Sequence, residues 1–100
     1  MAAHLSEAAA ADLARRVGEA MFAADAASKD TMGMRLRLCE PGRAVLEMTV
    51  RALHLNGHRI CHGGFIFTLA DSAFAYACNS SNHNTVANGC SIEFLRPAHE

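Results

Sequence analysis

The stretch CHGGFIFTLADSAFAYAC, Cys61 to Cys78, constrains this chain more than any other. Two adjacent glycines, Gly63 and Gly64, open a run from Phe65 to Cys78 that is apolar except for Thr68, Ser72 and one carboxylate, Asp71. Apolar residues on nearly every side predict a helix over about 64–79 that other elements enclose. The turn-prone NSSNHN segment ends it. With Asp71 in its middle, the run falls short of the ~18 apolar residues that suggest a membrane span.

What could enclose such a helix has to come from the remaining sequence. From Ser6 to Ala24 the pattern is helical, with Ser6 as cap, Glu7 in the first turn and Leu13, Val17 and Met21 recurring every four residues. The period changes to two in the segment 34–50: Met34, Leu36 and Leu38 alternate with arginines, Pro41-Gly42 supplies a turn, and Ala44, Leu46, Met48 and Val50 alternate again. That is an antiparallel hairpin. Asn56-Gly57 and Gly63-Gly64 mark 51–62 as a loop, and a further strand is expected over about 85–96, closed by Pro97. One α+β domain spanning 1–100 follows, in which a sheet must wrap the helix. Three strands are few for that task, so either subunits cooperate or the domain is C-terminally incomplete.

Composition narrows the function classes. At 51% hydrophobic and 19% charged, a chain of 100 residues is apolar for its size, which favours self-association. Nine basic residues against ten acidic, with no basic block, give a nucleic-acid partner no electrostatic support. The amino terminus lacks the basic start and apolar run of a secretory signal, so a cytoplasmic protein away from membranes is expected. Cys39, Cys61, Cys78 and Cys90 are scattered without a Cys-x-x-Cys pair and are expected as reduced packing residues.

The chemistry lies in the acid and the glycines. An ionised carboxylate in an apolar helix costs several kcal/mol unless paired, hydrogen-bonded or near water. Asp71 could therefore lie at an exposed helix edge, support a neighbour by hydrogen bonding, or pair with an arginine such as Arg96. A helix starting at Gly63-Gly64 offers unpaired N–H groups that a ligand oxygen can approach closely, and the helix dipole favours an anion there. Gly63 and Asp71 are eight residues apart, ~12 Å along a helix axis, so one helix cannot aim both at one reacting group. Two helices antiparallel about a two-fold axis could. An oxyanion donor with a carboxylate suits acyl transfer to water, and a thioester fits best because its thiol leaves readily.

The segments LNGHRICHGGFIFTLADSAFAYACNS, Leu55 to Ser80, and CSIEFLRP, Cys90 to Pro97, closely resemble the PaaI-type thioesterases of phenylacetate degradation, which have the hotdog fold. The resemblance covers about Met32 to Pro97. It implies an antiparallel sheet around a long central helix, homodimers or dimers of dimers with active sites between subunits, and hydrolysis of acyl-CoA thioesters, aryl-acetyl groups favoured. CoA enters as part of the substrate and no other cofactor is implied. The family's acid falls on Asp71 and its oxyanion glycine on Gly63, with Gly64 beside it. Asn56 falls near the nucleophilic water or acid, and His62 beside the thioester. Phe67, Thr68 and Phe74, on the helix face of Asp71, are the remaining substrate-binding candidates. Family members continue after FLRP with further strands.

Three rival readings have discriminators. His54, His58 and His62 recur every four residues, as metal ligands on a helix would, but Asn56-Gly57 breaks such a helix and no fourth ligand stands out, so no metal is expected. A hotdog dehydratase would use His62 to remove a proton beside the thioester carbonyl. A non-catalytic acyl-CoA-binding or interaction module would keep the fold without turnover.

Overall fold

The computed structural model describes residues 4–100. Helix α1 runs Glu7–Ala24, with Ser6 as its cap: the Ser6 hydroxyl accepts from the Ala9 N–H at 3.1 Å. Its outer face carries Asp12 between Arg15 and Arg16, an exposed trio in which the two guanidinium groups hold the Asp12 carboxyl below the usual carboxylate range. Its buried residues are Ala14 and Gly18 rather than the larger Leu13, Val17 and Met21, which are half-buried. The reason is proximity to the sheet. A Cβ at Gly18 would sit 2.6 Å from the Cys39 Cβ, so the closest approach of helix to strand here needs a residue without a side chain.

Strands β1, Arg35–Glu40, and β2, Arg43–Glu47, form the expected antiparallel hairpin. Pro41-Gly42 makes its turn, with Gly42 at φ +70°, a conformation glycine adopts without a steric penalty. An irregularity between Leu36 and Leu38 shifts the alternation, so that Cys39 and Leu46 point into the core. Arg35 and Arg37 both reach Glu47 on the outer face. Met32, Met34, Cys39, Leu46 and Tyr76 form the buried cluster, with Met21, Phe22, Phe65 and Leu69 packed against it.

Between α1 and β1 the chain makes a π-helical turn, Ala27–Thr31, closed by the Met32 N–H on the Ala27 carbonyl at 3.0 Å. Asp25 starts it, its carboxylate accepting from the Ser28 N–H. Helix α2, Gly63–Asn79, packs on β2 and touches α1. It begins one residue before the expected 64–79, within ordinary boundary variation.

Two expectations need correction. The strand expected over about 85–96 does not form: this segment lies in neither helix nor strand, and Val86 and Leu95 are 91% and 84% exposed. Its sequence has strand character, but a strand needs a hydrogen-bonded neighbour, and no described backbone runs alongside it. Local bonds place it instead, from Thr85 to the Asn79 side chain and from the Cys61 N–H to the Ala98 carbonyl at 2.8 Å. Nor is α2 enclosed. Ser72 and Tyr76 are buried, while Ala70, Asp71 and Phe74 form an exposed stripe, because the two-stranded sheet covers one side only. Among the described residues no helix is long and apolar enough to cross a membrane.

Candidate active site

The loop before α2 is built by its polar side chains. Asn56 folds the Asn-Gly turn back on itself, its Oδ1 accepting from the His58 N–H at 2.9 Å and the Ile60 N–H at 3.3 Å. That commits the amide oxygen to the turn, while the amide NH2 forms no hydrogen bond among the described residues. His54 is fully buried; its Nδ1 accepts from the Arg51 N–H at 3.0 Å, its ring lies 4.8 Å from that of Phe65, and its carbonyl accepts from the His62 N–H. With Nδ1 an acceptor, the ring proton sits on Nε2, the buried side-chain nitrogen without a partner among the described residues.

Burial, with Arg51 nearby, pushes the His54 pKa below the ordinary 6.5. The folded chain therefore prefers neutral His54, while the unfolded chain takes up a proton near 6.5. Its contribution to stability is full above that value and is lost as pH falls from 6.5 through the lowered folded value. The urea midpoint should thus drop between pH 7 and 5, and His54→Gln should flatten that dependence. An equally steep dependence in the variant would remove His54 as its source.

His62 caps α2: its Nδ1 accepts from the Gly64 N–H at 3.1 Å. The cap occupies Gly64, and the Gly63 N–H forms no hydrogen bond among the described residues. His62 is exposed, and as an Nδ1 acceptor it presents a proton at Nε2. The Phe94 ring lies over Gly63, where a Cβ would come within 3.2 Å of it. Gly63, Asn56, Ile66, Phe94 and Arg96 line one cavity of about 380 Å³. Here the sequence reading missed Phe94, although its place in the apolar IEFLRP run was the available signal.

The structure distributes the other expected residues around α2. Gly64, His62 and Thr68 border a second opening of about 350 Å³, and the Thr68 hydroxyl donates to the Gly64 carbonyl at 2.8 Å. Asp71, Phe67 and Phe74 border a third of about 200 Å³ with Cys90, Ser91 and Ile92. Asp71 is exposed and forms no hydrogen bond or ion pair among the described residues. Of its three readings the exposed helix edge holds; Arg96 lies at the Gly63 cavity instead. Gly63 and Asp71 thus open into separate cavities of one chain.

The histidines divide three ways: His54 is buried, His62 is the cap, and His58 is exposed. Among the described residues no group of three or more His, Cys, Asp or Glu could hold a metal ion. All four cysteines are free thiols, and burial pushes Cys39 and Cys61 above the ordinary thiol value.

Known proteins resemble the chain in sequence and in fold. Residues 58–100 match the family described as the Thioesterase superfamily. Over 78 residues the chain is 53% identical to the acyl-coenzyme A thioesterase PaaI of Escherichia coli (strain K12), covering 78% of this chain and 55% of that protein. The E. coli PaaI structure superposes with a TM-score of 0.86 at 47% identity, over 89% of this chain and 64% of that one. A mutant structure of the phenylacetic acid degradation protein PaaI from Thermus thermophilus gives 0.68 at 41% identity, over 71% and 61%. The fold is that of the hotdog thioesterases, and residues 58–100 are similar to the thioesterase superfamily. PaaI-type proteins are among those the chain is similar to. The chain spans about half the length of the curated relatives it matches.

Proposed function

We propose that these residues belong to an acyl-CoA thioesterase that hydrolyses aryl-acetyl-CoA esters, such as phenylacetyl-CoA, to the free acid and CoA. The observation that carries this is the free N–H of Gly63, set at a helix N-terminus beside an apolar cavity, where a thioester carbonyl becomes an oxyanion. Asp71 of a second copy of the chain activates water. The water oxygen bonds to the carbonyl carbon, its proton passes to Asp71, the C–S bond breaks, and the proton ends on the thiolate. A thiol of pKa ~8.5 leaves without a strong acid. The Asn56 amide NH2, at the same cavity as Gly63, is a further donor for the carbonyl or water; His62 Nε2–H, at the neighbouring opening, is a donor for the rest of the thioester.

The working unit is a homodimer or a dimer of dimers in the cytoplasm, and CoA arrives with the substrate. The exposed stripe of Ala70, Asp71 and Phe74 supports a partner copy there. A dehydratase is less well supported, because His62 Nδ1 is occupied as the cap and Nε2 carries the proton, leaving no free base. Thiol release from phenylacetyl-CoA, measured beside hydration of an enoyl-CoA, tests the assignment. Release with no hydration is expected. Hydration alone would favour the dehydratase, and neither activity would favour a binding module.

A further inference from the structure

Helix α2 presents a problem that apolar packing does not solve. Alanine, phenylalanine, leucine and isoleucine lie all round it, so burial alone would accept several rotations about its axis and turn Asp71 in as many directions. Two polar side chains on its buried face remove that freedom. Ser72 and Tyr76 are 9% and 1% exposed and lie one turn apart. The Ser72 hydroxyl is 3.1 Å from that of Ser28, and the Tyr76 hydroxyl donates to Asp25 Oδ2 at 3.1 Å.

Both partners sit on the segment that makes the π-helical turn. Asp25 Oδ1 accepts from the Ser28 N–H at 3.0 Å, its carbonyl accepts from Lys29, and the Ser28 carbonyl accepts from Met34 at 2.8 Å, the last residue before β1. Tyr76, Asp25, Ser28 and Ser72 thus form one hydrogen-bonded chain joining residues 44 and 51 positions apart. Desolvation and the Asp25 carboxylate push the Tyr76 pKa far above its ordinary 10, so the phenol stays a donor. Buried networks of this kind are specific in direction because an unmet partner is costly.

We infer that Ser28 and Ser72, with Asp25 and Tyr76, are positioning residues that fix the rotation of α2 and so aim Asp71, one residue before Ser72, at the reacting water. The inference rests on the catalytic role proposed for Asp71. The π-helical turn has a use in it: the irregular backbone lowers Ser28 into contact with α2, and π-helical turns recur where function needs such geometry. A misplacement of about 1 Å can cost on the order of 100-fold in rate. Small rotations of α2 are therefore sufficient to matter.

Steady-state kinetics on phenylacetyl-CoA, read beside urea unfolding, tests this. Ser72→Ala strands the Ser28 hydroxyl and should lower both kcat and stability. Ser28→Ala with Ser72→Ala leaves no stranded partner, so stability should return toward that of the parent. In that double variant kcat should stay at least about 10-fold low with KM nearly unchanged, because the aim is still lost. Ser72→Thr, which keeps the hydroxyl, should restore kcat. Tyr76→Phe, tested separately, should lower kcat in the same manner. Recovery of kcat together with stability in the double variant would reduce the network to a structural role and overturn the inference. Failure of that variant to fold would overturn it too, since the hydroxyls would then hold the fold itself. An Asp71→Asn control keeps the two ideas separate: full activity there refutes the catalytic role, whereas an inactive control beside a fully active double variant refutes only the positioning.

Discussion

Asp71→Asn and Asp71→Ala are expected to lower thiol release from phenylacetyl-CoA by about 10² to 10⁴, the range for removal of a positioned general base. Stability should change little, because Asp71 is exposed and forms no hydrogen bond or ion pair among the described residues. That separation gives the experiment its force: an exposed acid on an otherwise apolar stripe has no structural task within one chain. KM should stay near the parent value if Asp71 meets water rather than the acyl group. Unchanged kcat in folded Asp71→Ala would end the assignment. A variant losing stability as well as kcat would point to a hidden structural contact.

The exposure of Asp71 also shows where sequence reasoning succeeded and where it stopped. Local chemistry was legible. Ser6 sets the start of α1, Pro41-Gly42 sets the hairpin turn, and His62-Gly63-Gly64 sets the start of α2, each through residues within a few positions of one another. The separation of Gly63 from Asp71 was legible too, since helix rise alone fixes it.

What was illegible depends on partners distant in sequence. Residues 85–96 have the composition of a strand, but strand formation belongs to a pair of backbones, and theirs has no neighbour among the described residues. Gly18 is buried in α1 because Cys39, 21 positions later, lies against it. Ser28 and Ser72 are unremarkable residues in their own segments; only the π-helical turn brings them within 3.1 Å. His62 was expected beside the thioester, and its capping bond to Gly64 adds a reason for its tautomer that no spacing rule supplied. Features set by the local backbone were thus easier to foresee than those set by packing.

The second large effect concerns which subunit supplies which group. Gly63→Val should abolish most thiol release, because its side chain would fill the approach to the free N–H and press on the Phe94 ring, already within 3.2 Å of a Cβ at that position. Co-expression of this variant with Asp71→Asn, each with its own tag, allows the mixed dimer to be isolated. If glycine and acid meet across a two-fold axis, one site of the mixed dimer carries both lesions and the other carries neither. The mixed dimer should then show about half the parental turnover, although both parent variants are nearly inactive. If glycine and acid of the same chain served one site, every site would carry one lesion and the mixed dimer would stay inactive. Within one chain, the two residues open into different cavities and lie ~12 Å apart along α2, too far to grip one carbonyl and its attacking water. Restored turnover is therefore the expected result, and it would place the two halves of CHGGFIFTLADSAFAYAC in two different active sites.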